Sequence, residues 1–253
     1  MSPYPVVRDA DRVRRLLALP TVRPAALARL RAATVAVVGV GGLGAAAAPY
    51  LAAAGLGRLV LIDPDRVSPP DLGRQVLYRA DDVGRLKVEA ARDALARQAP
   101  DTRVDAVAAA LSPANGAELL AGAQVIVDGL DHGAMRDWLN RYAVGGGAPV
   151  VFGGALGYEG QVTVVAGAPC LACLFGSVAD APADCATEGV LGPLVGVVGS
   201  LQAAETLKWI LGVGEGLRGR LWQMDLFTGR TRVLAFPPRP DCPVCGSSAG
   251  PKG

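Results

Sequence analysis

Aromatic side chains are scarce in this chain, 5% of 253 residues, and histidine occurs once, at position 132. A core short of large rings has to be packed from Ala, Val, Leu and Gly, the composition of a parallel sheet covered by helices. His132 is read as a polar loop residue and not as a catalytic one. Long apolar runs are missing too. Met1 to Pro20 carries Arg8, Asp9, Asp11, Arg12, Arg14 and Arg15 with no signal-peptide core, and nothing later approaches about 20 uninterrupted apolar residues. A soluble, cytoplasmic protein with no membrane partner is expected. Basic runs are also absent: 25 basic and 23 acidic residues leave a net charge of +2, so no direct nucleic-acid partner is expected. No internal repeat or low-complexity linker divides the chain, and its length suits one domain built on an open α/β sheet.

What is present begins with cysteine. Four of the five form two pairs of identical spacing, Cys170-Leu171-Ala172-Cys173 and Cys242-Pro243-Val244-Cys245. Two such hooks supply four thiolates, enough to close a tetrahedral Zn²⁺ site with no open position, so the metal is expected to be structural. In a reducing compartment these pairs favour zinc over disulfides. Cys185 is left over, inside a stretch from Gly176 to Gly192 rich in Ala, Asp, Gly and Pro that reads as a mobile loop. The tail after Gly246 reads as disordered.

Residues 11–33, broken by Pro20 and Pro24, suggest two short helices. Strands are expected at Thr34–Val38, Arg58–Asp63, Val104–Ala108, Val125–Asp128 and Val150–Phe152. Helices are expected between them at Leu43–Ala54, Gly84–Gln98, Ala114–Ala121 and Met135–Val144. Pro49 should kink the first of these helices or make it irregular. Gly160–Val165 reads as an antiparallel strand, Gly199–Leu211 as a late helix, and Leu221–Phe236 as two strands around Thr228-Gly229.

The run Gly39-Val40-Gly41-Gly42-Leu43-Gly44 lies between the first strand and the first helix, where backbone N–H groups can approach a phosphate. Gly39, Gly41 and Gly44 satisfy G-x-G-x-x-G, and Asp63 ends the second strand where a ribose hydroxyl would sit, so an NAD enzyme is one reading. The residues that follow favour triphosphate chemistry instead. Asp65, Asp71, Arg74, Gln75 and Lys87 form a charged and polar series, in which Arg and Lys suit phosphate oxygens. Asp131, just past the Val125–Val127 strand, is placed to hold Mg²⁺.

Taken together, the glycine loop, Tyr50 to Gly57, Asp63-x-Asp65, Arg74-Gln75, Lys87, Asp131, Glu159 to Thr163, Gly196 to Ala203 and both cysteine pairs resemble the ThiF/MoeB/HesA family of E1-like adenylyltransferases. The resemblance covers about residues 12–246. It implies a Rossmann-like doubly wound, mainly parallel sheet with an antiparallel C-terminal extension. The single domain would divide into N-terminal helices (1–33), a nucleotide-binding core (34–165), a zinc and carrier-binding part (166–246) and a tail (247–253). It further implies MgATP and a homodimer, with adenylation of the C-terminal glycine of a small ubiquitin-like sulfur carrier ending in Gly-Gly. No rhodanese-like segment follows the last cysteines, so a separate sulfurtransferase or desulfurase is expected to donate sulfur.

Carried onto matching positions, the resemblance gives the Gly41 loop the phosphates and Asp63 the ribose. Arg74 and Lys87 would take the transferring phosphoryl charge, Asp131 the Mg²⁺, and Arg15 of Arg12-Val13-Arg14-Arg15, or its neighbour Arg14, would reach into the partner's site. Cys185 aligns with a cysteine that some relatives use to link the carrier or pass sulfur. The pattern differs at Pro70 and Asp71, where relatives commonly carry Ser and Asn, and at Val13 and Leu16, which flank the arginines. Two further readings stay open: adenylation of a peptide or other carboxylate, and a nucleotide-binding scaffold without turnover.

Overall fold

The computed structural model describes residues 9–22, 24–131, 133–176 and 189–246. His132, Cys185 and the tail after Gly246 lie outside the described residues, as does most of the expected mobile loop. The described part of that loop is ordered into structure: Val190 bridges Gly157, and a helix begins at Gly192.

Three short helices open the chain, α1 (Asp9–Arg12), α2 (Arg14–Leu17) and α3 (Pro24–Ala32), where the prolines had suggested two. Then β1 (Thr34–Val38), α4 (Gly42–Ala53) and β2 (Arg58–Ile62) form a βαβ unit, followed by α5 (Lys87–Gln98) and β3 (Arg103–Val107). A short α6 (Gly116–Leu119), β4 (Val125–Asp128), α7 (Gly133–Val144) and β5 (Val150–Leu156) complete the parallel part. The chain continues through β6 (Glu159–Val165), α8 (Leu171–Phe175), α9 (Gly192–Leu211), β7 (Arg220–Asp225) and β8 (Arg230–Ala235). All eight strands form one sheet in the order β3-β2-β1-β4-β5-β6-β7-β8. The first five are parallel, and β6, β7 and β8 add antiparallel, so the mixed sheet expected from the sequence is present.

Nearly unbroken apolar runs in β1, β2 and β4 have both faces covered, as in a buried parallel sheet. On one face α3, α4, α5 and α9 contribute to a core of Ala, Val and Leu; on the other α7 packs with Phe152 and the cysteine hooks. The alanines of α4 have a reason in this packing. Helix α9 lies directly across α4, and a Cβ at Gly199 would sit 2.8 Å from the Ala46 Cβ. Small residues let the two backbones approach. By length and hydropathy α9 passes for a membrane span, but half of its apolar window is buried inside this fold, as in a core helix.

Several boundaries differ from the sequence reading. Helix α5 starts at Lys87, not Gly84, because Gly84 has φ +88° and Arg66 pairs with Leu86 as a β-bridge, which holds the chain extended up to the helix. Helix α9 starts at Gly192, with Pro193 in its first turn and Gly212 in the left-handed conformation closing it. Helix α6 is shorter than expected, β5 runs on to Leu156, and α4 continues through Pro49 as one helix.

Candidate active site

Strand order reverses at β1, whose neighbours β2 and β4 lead to opposite halves of the sheet. Ligands of open α/β sheets bind beyond the carboxyl ends of the strands at such a point. Here a cleft of about 1200 Å³ opens there, lined by the glycine loop, the end of β2 and the turn after β4. It extends to Gly153, Gly154 and the ends of β6, β7 and β8.

The glycines of the loop do different things. Gly39 has φ +83°, and a Cβ there would lie 2.6 Å from the Gly129 carbonyl oxygen, so the loops after β1 and β4 abut only because both carry glycine. Gly44 does not line the cleft; a Cβ on it would overlap the Gly39 carbonyl. Gly41 is different: its nearest neighbour would be Gln75 Nε2 at 3.7 Å, which leaves room for a ligand, and with Gly42 and Leu43 it faces the cleft. Helix α4 begins at Gly42, so its free N–H groups and positive dipole end point into that space. We expect Gly44→Ala to destabilise the protein by about 2–4 kcal/mol, since backbone must move. Gly41→Ala should fold normally. Thermal denaturation of the two variants checks this, and equal stability would contradict the packing argument.

Asp63 is buried at the end of β2. Its Oδ2 accepts from Val40 N at 2.6 Å and its Oδ1 from Asp65 N at 2.8 Å, so the carboxylate braces the loop from below. Burial pushes Asp63 up; the two backbone donors and Lys87 oppose it. Tyr78 fixes the following peptide of the loop by donating from its hydroxyl to the Val40 carbonyl at 2.7 Å. Burial, then the nearby Asp63, Asp71 and Asp82 carboxylates, hold its phenol well above the usual range.

Lys87 is buried at the first position of α5, where the helix dipole disfavours a cation. Asp65 Oδ2 at 3.2 Å and Asp71 Oδ2 at 3.9 Å hold it there. Lys87 thus presents a positive charge along the wall of the cleft. Arg74 also lines the cleft, its guanidinium donating to the Pro70 carbonyl at 3.0 Å and Asp71 Oδ1 at 3.2 Å. Gln75 is buried beside them. Asp131 lies exposed at the cleft beyond β4. Gly39, Gly41, Gly42, Leu43, Asp63, Asp65, Asp71, Arg74, Gln75, Lys87 and Asp131 therefore share one cleft. Arg15 is exposed on α2 and is not among the residues that line it.

Arg136, which the motifs had not singled out, also lines the cleft, and buried Asp128 and Gln202 support its walls through hydrogen bonds. Asp128, fully buried at the end of β4, accepts from Arg136 Nε at 2.8 Å, and the same guanidinium donates to the Gly153 carbonyl. Burial pushes Asp128 up against the attraction of Arg136. Gln202, from α9, donates to the carbonyls of Asp128 at 2.7 Å and Val151 at 3.0 Å, locking the strand ends. Arg136 and Asn140 stand four apart on α7, on the side of Leu139 and Ala143; polar residues within that apolar stripe were the available signal.

The two cysteine hooks meet on the α7 face. Cys170 and Cys242 sulfurs lie 3.7 Å apart, Cys173 and Cys245 3.3 Å, and all four are within 4.8 Å of one another. A tetrahedral zinc with sulfurs at about 2.3 Å separates its ligands by roughly 3.8 Å, so the four thiols fit that ion. Asn140 stitches this site to α7 by accepting from Leu171 N at 2.9 Å.

A doubly wound sheet with a glycine loop at its switch point, the buried Lys87 and half-buried Arg74 lining the same cleft, and four thiols grouped as a zinc site would hold them define a Rossmann-like α/β protein. Comparison with known proteins is more specific. Residues 13–244 match the ThiF family, and the chain belongs to it. It is 42% identical over 239 residues to the SAMP-activating enzyme E1 of Haloferax volcanii, covering 93% of this chain and 88% of that protein. It is 41% identical over 247 residues to the sulfur carrier protein adenylyltransferase of Thermus thermophilus (94% and 91% covered). With the molybdopterin-synthase adenylyltransferase of Escherichia coli it shares 41% over 220 residues (86% and 88%). Among solved structures, E. coli MccB superposes with a TM-score of 0.78 at 24% identity, over 87% of this chain and 69% of that one, which supports the fold.

Proposed function

We propose that this protein is an adenylyltransferase that activates the C-terminal glycine of a small ubiquitin-like sulfur carrier with ATP, for sulfur transfer in molybdopterin, thiamine or thiolated-tRNA synthesis. The observation that carries this reading is the cleft: an open helix N-terminus at Gly41–Leu43 facing the buried cation Lys87 and Arg74, in a chain about 40% identical to carrier adenylyltransferases along most of its length. ATP would lie with its phosphates on the loop and its ribose toward Asp63.

One oxygen of the carrier's terminal carboxylate attacks the α-phosphorus, the bond to the bridging α–β oxygen breaks, and pyrophosphate leaves with that electron pair. The product is an acyl-adenylate. A terminal carboxyl has a pKa of about 3.5, so it is ionised at neutral pH and needs no general base. Catalysis is then positioning and charge neutralisation, to which Arg74 and Lys87 would contribute about 3–4 kcal/mol each. Asp131 is the residue that would hold Mg²⁺, which when bound neutralises phosphate charge. The far end of the cleft, past Gly153 and Gly154 toward the edges of β6, β7 and β8, would admit the Gly-Gly tail.

A homodimer is part of this reading. Arg15 is exposed and does not line the cleft of its own chain, which suits a residue supplied to the partner's site. Mixed dimers of Arg15→Ala and Asp131→Ala subunits should recover up to a quarter to a half of wild-type activity, although each homodimer is inactive. No recovery in verified mixed dimers would exclude sharing. Cys185 would serve a later sulfur-transfer step with a separate sulfurtransferase or desulfurase. Four closely spaced thiols suit a reducing cytoplasm.

ATP–pyrophosphate exchange with each candidate carrier, and with the same carrier lacking its Gly-Gly tail, tests the function. Exchange that depends on the intact tail supports it. Exchange with a short peptide, or ATP binding with no exchange for any carrier, would overturn it in favour of a peptide-modifying enzyme or a scaffold.

A further inference from the structure

Asp71 has the wrong charge for a phosphate site, yet it sits at the centre of this one. The residue is buried, 5% exposed. Its Oδ1 accepts from Gln75 Nε2 at 2.8 Å and from the Arg74 guanidinium at 3.2 Å; its Oδ2 accepts from Ser68 N at 2.9 Å and Ser68 Oγ at 2.8 Å. Lys87 Nζ stands 3.9 Å away. Burial opposes its ionisation, but the two Ser68 hydrogen bonds and the fields of Lys87 and Arg74 outweigh burial and hold the carboxyl below the usual range. An ionised carboxylate thus shares both of the cations that face the glycine loop.

We propose that Asp71 sets the affinity of this cleft for polyphosphate: it holds Arg74 and Lys87 in place in the free enzyme and competes with the nucleotide's phosphates for them. The inference rests on the reading of the cleft as an ATP site. Like charges brought together in a partly desolvated site repel more strongly than in water, so the carboxylate weakens binding of a triphosphate while leaving the nucleoside untouched. It keeps the cations aimed at the cleft as well, which ties the two effects to one residue.

Asp71→Asn separates charge from shape. An amide there keeps the shape and can hold its oxygen toward the Ser68 donors; its NH₂ is accepted by Gln75 once that amide flips to turn its unpartnered Oε1 inward, and the Arg74 hydrogen bond is given up along with the charge. Calorimetric titration of the full-length protein with ATP and Mg²⁺, with pyrophosphate and with adenosine is the experiment. We expect Asp71→Asn to bind ATP and pyrophosphate about tenfold more tightly, with adenosine unchanged. The gain should shrink as salt is raised. Equal or weaker ATP binding in a variant of unchanged Tm would overturn the inference, and so would a parallel change for adenosine, which marks a structural role. Should Asp71→Asn not fold, Asp71→Ser removes the same charge and is read by the same ratio of ATP to adenosine affinity. A wild-type protein that binds neither ATP nor pyrophosphate would sink the ATP-site reading itself, a result distinct from wild-type binding that Asp71→Asn fails to strengthen.

Discussion

Asp131→Ala is expected to reduce ATP–pyrophosphate exchange by about 10³-fold or more while leaving the protein folded. Asp131 is exposed beyond the end of β4, so truncating it removes no core packing. It also relieves repulsion of the buried Asp128 carboxylate, whose ionisation the Asp131 charge opposes. Stability should therefore stay within about 0.5 kcal/mol, a Tm change of roughly 2 °C for a domain of this size. The chemistry has no such margin, because triphosphate charge beside a carboxylate nucleophile has to be neutralised before the two can approach. Exchange assays and thermal denaturation of the same preparation check both halves. Near wild-type exchange would remove Asp131 from the mechanism; a collapsed Tm would make it structural.

The second large effect is on stability. Cys242→Ser, or removal of metal by a strong chelator, is expected to lower Tm by roughly 10 °C or more, because structural zinc contributes several kcal/mol to folding. After β8 the chain has no further strand or helix up to Gly246. Its anchors are Phe236, Cys242 and Val244, buried against the α7 face with Cys170 and Cys173, and the Arg239 N–H, which donates to Cys173 Sγ at 3.4 Å. Burial pushes the Cys170 thiol up, although hydrogen bonds from the backbone at Cys173 and from Cys245 and Asn140 oppose that shift. As thiolates the four sulfurs, grouped within 4.8 Å, could remain together only around a cation such as zinc. Metal content measured by mass spectrometry, followed by proteolysis, should show one zinc per chain in the wild type and early cleavage near the C-terminus in its absence. A metal-free protein with unchanged Tm and no new cleavage would refute the structural role.

Much of both sites was legible because their signals are local. The glycine loop is a contiguous run, the cysteine hooks repeat one spacing, and Asp63 and Asp131 follow strands that the apolar runs delimit, whereas the start of α5 at Lys87 was read three residues early. The antiparallel addition to the parallel sheet was readable from alternation in β6 and the turn between β7 and β8. Less visible was the start of α9, where Gly192 and Gly196 look like loop in sequence; Gly192 instead packs against the Gly73 backbone, and Gly199 is the glycine that meets α4.

By itself, then, the sequence determined the class of fold, the order of its strands, the family and the chemical kinds present at each site, since propensities and motif spacings act over a few residues. Only the tertiary structure decided what those groups do to one another. It placed Asp71 against Arg74 and Lys87, Arg136 between Asp128 and Gly153, Gln202 between the end of β4 and the start of β5, and Asn140 against the first cysteine hook. These partners are mostly far apart along the chain. Their pairing follows from desolvation: once the sheet and helices close, a buried charge or amide has to find whichever partner packing brings within reach.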